Sequence, residues 1–133
     1  MNWSNNPIRA TKIMYWMTTV LVAAAFFVTG VGNLVPVAHI ARDMSHLGYP
    51  PYFLCILGTW KILGAVAIVL PKAPRLKEWA YAGIIFDLTG AVFSRAASGD
   101  AVMMVIVPVA IAGVAMISWA LRPEKRILKR VAQ

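Results

Sequence analysis

Long apolar stretches separated by short polar ones dominate the sequence. Four of them cover residues 13–36, 52–70, 79–97 and 101–121. A helix that rises 1.5 Å per residue needs about 20 residues to cross a hydrocarbon core, and each stretch is close to that length. Backbone groups in lipid must bond to each other, and the alternation of barrel strands is missing. The pattern therefore predicts an all-α integral membrane bundle of four transmembrane helices, in a single domain over residues 1–133.

The segment 37–47, between the first two predicted helices, has a different pattern. Apolar residues recur at helical spacing on one face, whereas the other face holds His39, Arg42, Asp43 and His46. This pattern predicts a short amphipathic helix lying on the membrane surface. Two histidines and a carboxylate could bind a metal, but Arg42 shares their face and polar residues are expected at an interface. The sequence therefore predicts no metal site.

Proline and aspartate suggest how the turns are built. Pro71 and Pro74 are expected to form the turn after the second helix, because proline cannot continue a helix. Asp100 follows a short Ser-Gly turn and is predicted to cap the fourth helix at its N-terminus.

Composition supports the membrane interpretation, and the distribution of basic residues predicts the orientation of the chain in the membrane. The chain is 60% hydrophobic, yet it carries a net charge of +8. Basic residues lie before the first helix, after the second and in the tail 122–133, and the loop after the second helix contains Lys72, Arg75 and Lys77. With four crossings all these charges fall on one side, which predicts that both termini are cytoplasmic. No basic stripe interleaved with aromatics indicates nucleic-acid binding.

Two opposite charges lie where charges are costly, in the middle of predicted helices. Lys61 and Asp87 are each about ten residues, or about 15 Å, from either end of the second and third helices. Equal depth on consecutive antiparallel helices predicts that they meet. Small residues share their helix faces, with Gly83 and Gly90 beside Asp87 and Gly58 beside Lys61, and such faces usually pack on other helices. The pair could anchor a ligand or handle protons, or it could only fix the helix register.

A second cluster of polar residues is expected towards the outer side of the membrane. Asn33, Ser94, Arg95 and Asp100 could rim a cavity that opens there. Its predicted walls are apolar or aromatic: Phe26, Phe27, Trp60, Phe86 and Met103. Alternatively, Arg95 pairs with Asp100 or a lipid phosphate, and Asn33 bonds to a helix carbonyl.

Several short motifs occur together in the middle of the chain. Residues 61–100 include K-I-L-G, L-K-E-W-A-Y-A-G and F-D-L-T-G-A, and L-G-Y-P precedes them at 47–50. With these motifs the chain resembles the DoxX-like family of small four-helix bacterial membrane proteins. The resemblance implies a location in the bacterial inner membrane and motif positions at Lys61, Glu78, Asp87, Ser94 and Asp100, of which Glu78 and Asp100 are expected to be structural. Many relatives have histidine where this chain has Arg95, and guanidinium stays charged, so proton transfer there is not expected.

Three functions are compatible with these features. Wider relatives are associated with a thiosulfate:quinone oxidoreductase, with oxidative-stress complexes and with assembly. The first hypothesis is a redox-associated accessory that binds an apolar ligand such as a quinone through Lys61, Asp87, Asn33, Ser94, Arg95 and Trp60. The alternatives are a scaffold subunit, with a membrane partner or a second copy, and a proton-coupled carrier. The sequence contains no catalytic set or dinucleotide fingerprint that would assign a reaction.

Overall fold

Five helices account for most of the residues that the structure, a computed structural model, describes: 7–35, 38–71 and 73–122. Their bounds are α1 Pro7–Leu34, α2 Ala38–His46, α3 Tyr52–Val69, α4 Pro74–Ala97 and α5 Val102–Ala120. The four long helices form a ring in which α1 contacts α3, α3 contacts α4, α4 contacts α5 and α5 returns to α1. The all-helical prediction is confirmed. The basic residues from 123 onward and Lys72 lie outside the described residues.

Three of the long helices have the length and composition needed to cross a membrane. Among the described residues these are α1, α3 and α5. The 24-residue α4 is long enough, but it has Asp87 in the middle and charged residues near both ends. Its crossing stays a prediction, as does the position of α2 at a membrane surface. Large apolar side chains also cover the outside of the bundle, for example Phe93 and Val102, which fits a surface in contact with lipid.

Glycines on α1 and α3 bring the backbones of these two helices close together. A Cβ added to Gly58 would lie 2.7 Å from the carbonyl oxygen of Gly30, and one added to Gly30 would lie 3.0 Å from that of Gly58. The prediction that Gly58 lies at a helix contact is confirmed. The same prediction was wrong for Gly83 and Gly90, where an added Cβ would meet nothing within 4 Å.

The turn after α3 differs from the prediction because α4 begins earlier. Pro74 is the first residue of α4, where a missing N–H costs no helical hydrogen bond. Lys77 is therefore not in a loop: its side chain is fully buried, and its Nζ donates to the carbonyl oxygens of Ala67 and Ile68, each at 3.0 Å. The cation thus satisfies two of the carbonyl groups that the end of a helix leaves without helical partners.

Three buried hydroxyl groups join the helices near the same end. The Ser118 hydroxyl is 2.6 Å from that of Thr19 and 2.7 Å from that of Tyr81, so α1, α4 and α5 meet at one hydrogen-bonded group. Such bonds are most valuable where no water competes for them.

Candidate functional site

Lys61 and Asp87 face each other across the contact between α3 and α4. Lys61 Nζ and Asp87 Oδ2 are 3.8 Å apart, and each side chain is only 19% exposed. The predicted meeting of the two charges is thus confirmed. At 3.8 Å the pair is beyond hydrogen-bond length, and neither charged group has a hydrogen bond within the described part of the chain. The two charges attract each other, but the N–H donors of Lys61 and the carboxylate oxygens of Asp87 have no hydrogen-bond partner among the described residues.

An aromatic ring completes the surroundings of the cation. Lys61 Nζ lies 5.7 Å from the centre of the Phe26 ring, which α1 contributes to the core. Attraction between an ammonium group and an aromatic face is strongest where water is scarce. Phe26 thus contacts the Lys61 ammonium group without using any of its three N–H donors.

The charge pair forms part of the wall of a cavity between α3 and α4. The cavity has a volume of about 510 Å³. Its other lining residues are almost all apolar or aromatic: Phe26, Leu57, Trp60, Leu63, Gly64, Ala67, Leu76, Trp79, Ala80, Gly83, Ile84 and Phe86. An apolar cavity of this size with few polar groups is typical of sites for small molecules.

The opening of the cavity lies on the side of the bundle. Trp60, Trp79 and Phe86 line it, yet they are 68%, 80% and 76% exposed. The cavity begins near the pair and continues along α4 to Leu76, close to the turn between α3 and α4. The sequence predicted an opening rimmed by Asn33, Ser94 and Arg95, and that opening stays a prediction. The cavity between α3 and α4 opens elsewhere, where Gly83 leaves space between the two helices.

The predicted ligand-binding residues therefore separate into two places. Lys61, Asp87 and Trp60 line the cavity, whereas Asn33, Ser94 and Arg95 are not among its described lining residues. Phe26 and Phe86 are wall residues as expected, but Phe27 and Met103 are not. Asn33 is buried on α1, and its Nδ2 atom has no hydrogen-bond partner among the described residues.

Arg95 belongs to an ion-pair cluster that connects α2 with the turn between α4 and α5. Its guanidinium is 2.5 Å from Asp43 and 2.9 Å from Asp100. His46 Nε2 lies 2.6 Å from the other oxygen of Asp100. The alternative that Arg95 pairs with Asp100 is confirmed. The predicted cap was wrong, because these two bonds use the Asp100 carboxylate and α5 begins without a side-chain cap.

The same contacts hold Asp100 in its charged form. Hydrogen bonds from His46 and then from Arg95, together with the positive charge of Arg95, keep the pKa of the Asp100 carboxyl below its usual value although partial burial opposes this. Close by, the hydroxyl groups of Tyr49 and Ser94 are hydrogen-bonded to each other. The described residues contain no group of three or more metal-ligating side chains placed to hold a metal.

Glu78 lies at the opposite end of α4, away from the charge pair. Its carboxylate accepts hydrogen bonds from Trp119 Nε1 at 3.1 Å and pairs with Arg122 at 2.6 Å. The guanidinium of Arg122 also lies over the rings of Trp119 and Tyr81. Glu78 therefore connects α4 to the end of α5.

A family model covers most of the chain. The model of the DoxX-like family matches residues 17–118, which run from within α1 to near the end of α5 and include both charges of the site. The chain belongs to the DoxX-like family. No curated protein and no solved structure matches it. As a DoxX-like protein with several long apolar helices, it is a membrane protein.

Proposed function

We propose that this DoxX-like protein binds a small apolar ligand with a polar head, such as a quinone, in the cavity between α3 and α4, as an accessory to membrane redox chemistry. One observation carries the proposal: two opposite charges in the wall of an apolar cavity are close but not hydrogen-bonded to each other. Polar groups separated by more than about 3.5 Å leave room for another group to bridge them. The oxygen of a ligand would fill that role.

The two charges suit the two oxidation states of a quinone. The Lys61 ammonium can donate a hydrogen bond to a carbonyl oxygen, and the Asp87 carboxylate can accept one from a quinol hydroxyl. The aromatic walls at Phe26, Trp60 and Phe86 offer flat surfaces for the ring. Lys61 and Asp87 therefore bind and orient the head group, while the apolar wall keeps water away from it.

The proposal includes a topology. α4 crosses the bilayer as the third of four transmembrane helices, and α2 lies on the outer surface of a bacterial inner membrane. Both termini are then cytoplasmic, in agreement with the basic residues before α1 and after α5. Burial of Lys77 and Arg122 removes two charges from the exposed basic residues on which this orientation is based. The other basic residues before α1, between α3 and α4 and after α5 in the sequence still favour it.

Quinone binding in lipid nanodiscs tests the proposal. A quinone should quench tryptophan fluorescence saturably, because Trp60 and Trp79 line the cavity. Exchanging the charges, with Lys61→Asp and Asp87→Lys together, keeps an ion pair but moves each donor and acceptor. A stable exchanged protein that binds at least tenfold more weakly, a loss of about 1.4 kcal/mol, supports the site. Unchanged binding in that variant, or no saturable binding in the wild type, contradicts it.

A scaffold role is a second candidate, because of the glycines on the outside of the bundle. Gly90 on α4 and Gly113 on α5 both face open space, and exposed glycine lets the backbone of another transmembrane helix approach closely. A stoichiometric partner in a mild-detergent pull-down that is lost in Gly90→Leu or Gly113→Leu would favour this function. A carrier function stays a prediction.

A further inference from the structure

We propose that the cavity is a slot that opens sideways into the bilayer and takes the apolar chain of an amphiphile, whose head lies at Lys61 and Asp87. Gly83 and Gly64 are then the residues that determine which chains fit. This inference rests on the proposed function and adds the route of entry, the place of the chain and the residues that select it.

The surroundings of the opening indicate entry from lipid. Trp60, Trp79 and Phe86 stand at the opening with most of their surface exposed. Their exposed neighbours Leu63 and Leu76, which also line the cavity, are apolar. The charge pair lies inside this apolar border, so a ligand reaches it by passing between apolar side chains. A ligand dissolved in the bilayer can do so without crossing water.

The dimensions of the slot fit a single apolar chain. The lining residues span about ten positions on each helix, so the slot is about 15 Å long. Its volume of about 510 Å³ lies within the range of small-molecule sites, about 300–1,000 Å³.

Two glycines keep the slot open from opposite walls. Gly64 lies on α3 and Gly83 on α4, and both line the cavity. A Cβ on Gly83 would meet nothing within 4 Å, and one on Gly64 would make only an ordinary contact at 3.9 Å. Larger residues at either position would therefore extend into the slot without straining the backbone. Gly90 is a matched control on α4, because it also faces open space but is not a lining residue.

Two quinones with the same head, one with a decyl chain and one without a chain, test the inference in nanodiscs. Binding is expressed against the mole fraction of quinone in the bilayer, so that partitioning into lipid is removed. Gly83→Leu and, independently, Gly64→Leu should weaken binding of the decyl compound at least tenfold. Both variants should change the affinity for the quinone without a chain less than threefold. Gly90→Leu should leave both affinities unchanged, and helical content should be equal in all variants.

The outcomes separate this inference from the proposed function. If the wild type binds both quinones but neither Leu variant discriminates between them, the slot assignment is wrong and the head-group site stands. If the exchange of Lys61 and Asp87 has no effect either, the proposed function fails as well. A photoreactive diazirine at the chain end should label residues between Leu76 and Gly83. Labelling spread evenly over the outer faces of α1 and α5 would overturn the inference.

Discussion

Replacing either Lys61 or Asp87 alone should destabilise the protein more than replacing both together. At 3.8 Å and an effective dielectric constant of about 20, two unit charges attract each other by about 4 kcal/mol. A single replacement leaves the other charge buried without its partner, and such changes cost about 3 kcal/mol each. The double replacement leaves no charge behind, so we expect it to cost about 2 kcal/mol, which gives a coupling energy of about 4 kcal/mol.

A double-mutant cycle measures this coupling. Lys61→Met and Asp87→Leu are apolar replacements of comparable size, and reversible unfolding in mixed detergent and SDS, followed by circular dichroism, gives the free energy of each variant. Independent sites give costs that add to within about 0.5 kcal/mol. Additivity of the two replacements would therefore refute the claim that the charges face each other.

Further predictions concern parts of the bundle outside the charge pair. Gly58→Leu should destabilise the protein by about 2 kcal/mol or more in the same assay, because the α1 backbone is in contact there, whereas Gly113→Leu should have little effect. Lys77→Met should cost about 2 kcal/mol, because two carbonyl groups at the end of α3 lose a charged donor; equal stability would argue against the cap. The Asp100 pKa is lowered on folding, so its stabilising contacts are complete above its ordinary value near 4 and are lost as the pH falls through the folded value. Hydrogen exchange of α2 should then accelerate at low pH, and Asp100→Asn should remove that dependence.

The helices were predictable because lipid imposes a minimum length on apolar stretches. The predicted bounds of the second and last long helices agree with α3 and α5 to within one residue. The start of α4 was missed by five residues, at Pro74. Charged residues near a helix end resemble a loop in the sequence, and only the fold shows that Lys77 turns inward to the end of α3. Proline followed by helix-compatible residues was the available signal.

The charge pair and part of the aromatic wall beside it were predictable, but the place where the cavity opens was not. Depth along consecutive helices follows from counting residues, so Lys61 and Asp87 could be paired from the sequence. Whether a glycine faces a helix or open space depends on the rotation of each helix in the bundle. Gly30 and Gly83 look alike in the sequence, yet one is in contact with α3 and the other borders the slot.

The ion-pair cluster around Arg95 could be predicted only in part, because it depends on the position of α2. The contact between Arg95 and Asp100 was predictable, since the two residues are five positions apart. Asp43 and His46 lie more than fifty residues away from their partners. Their position on the polar face of α2 was predicted, but the fold of the connecting segments decides what that face meets.

An experimental density map of the protein, purified in its native lipids, would show whether a ligand lies between α3 and α4. We expect non-protein density there, with a head in contact with Lys61 Nζ and the Asp87 carboxylate and a chain directed towards Trp79. A map in which side chains fill this space, with Lys61 and Asp87 hydrogen-bonded directly to each other or turned apart, would rule out the proposed site.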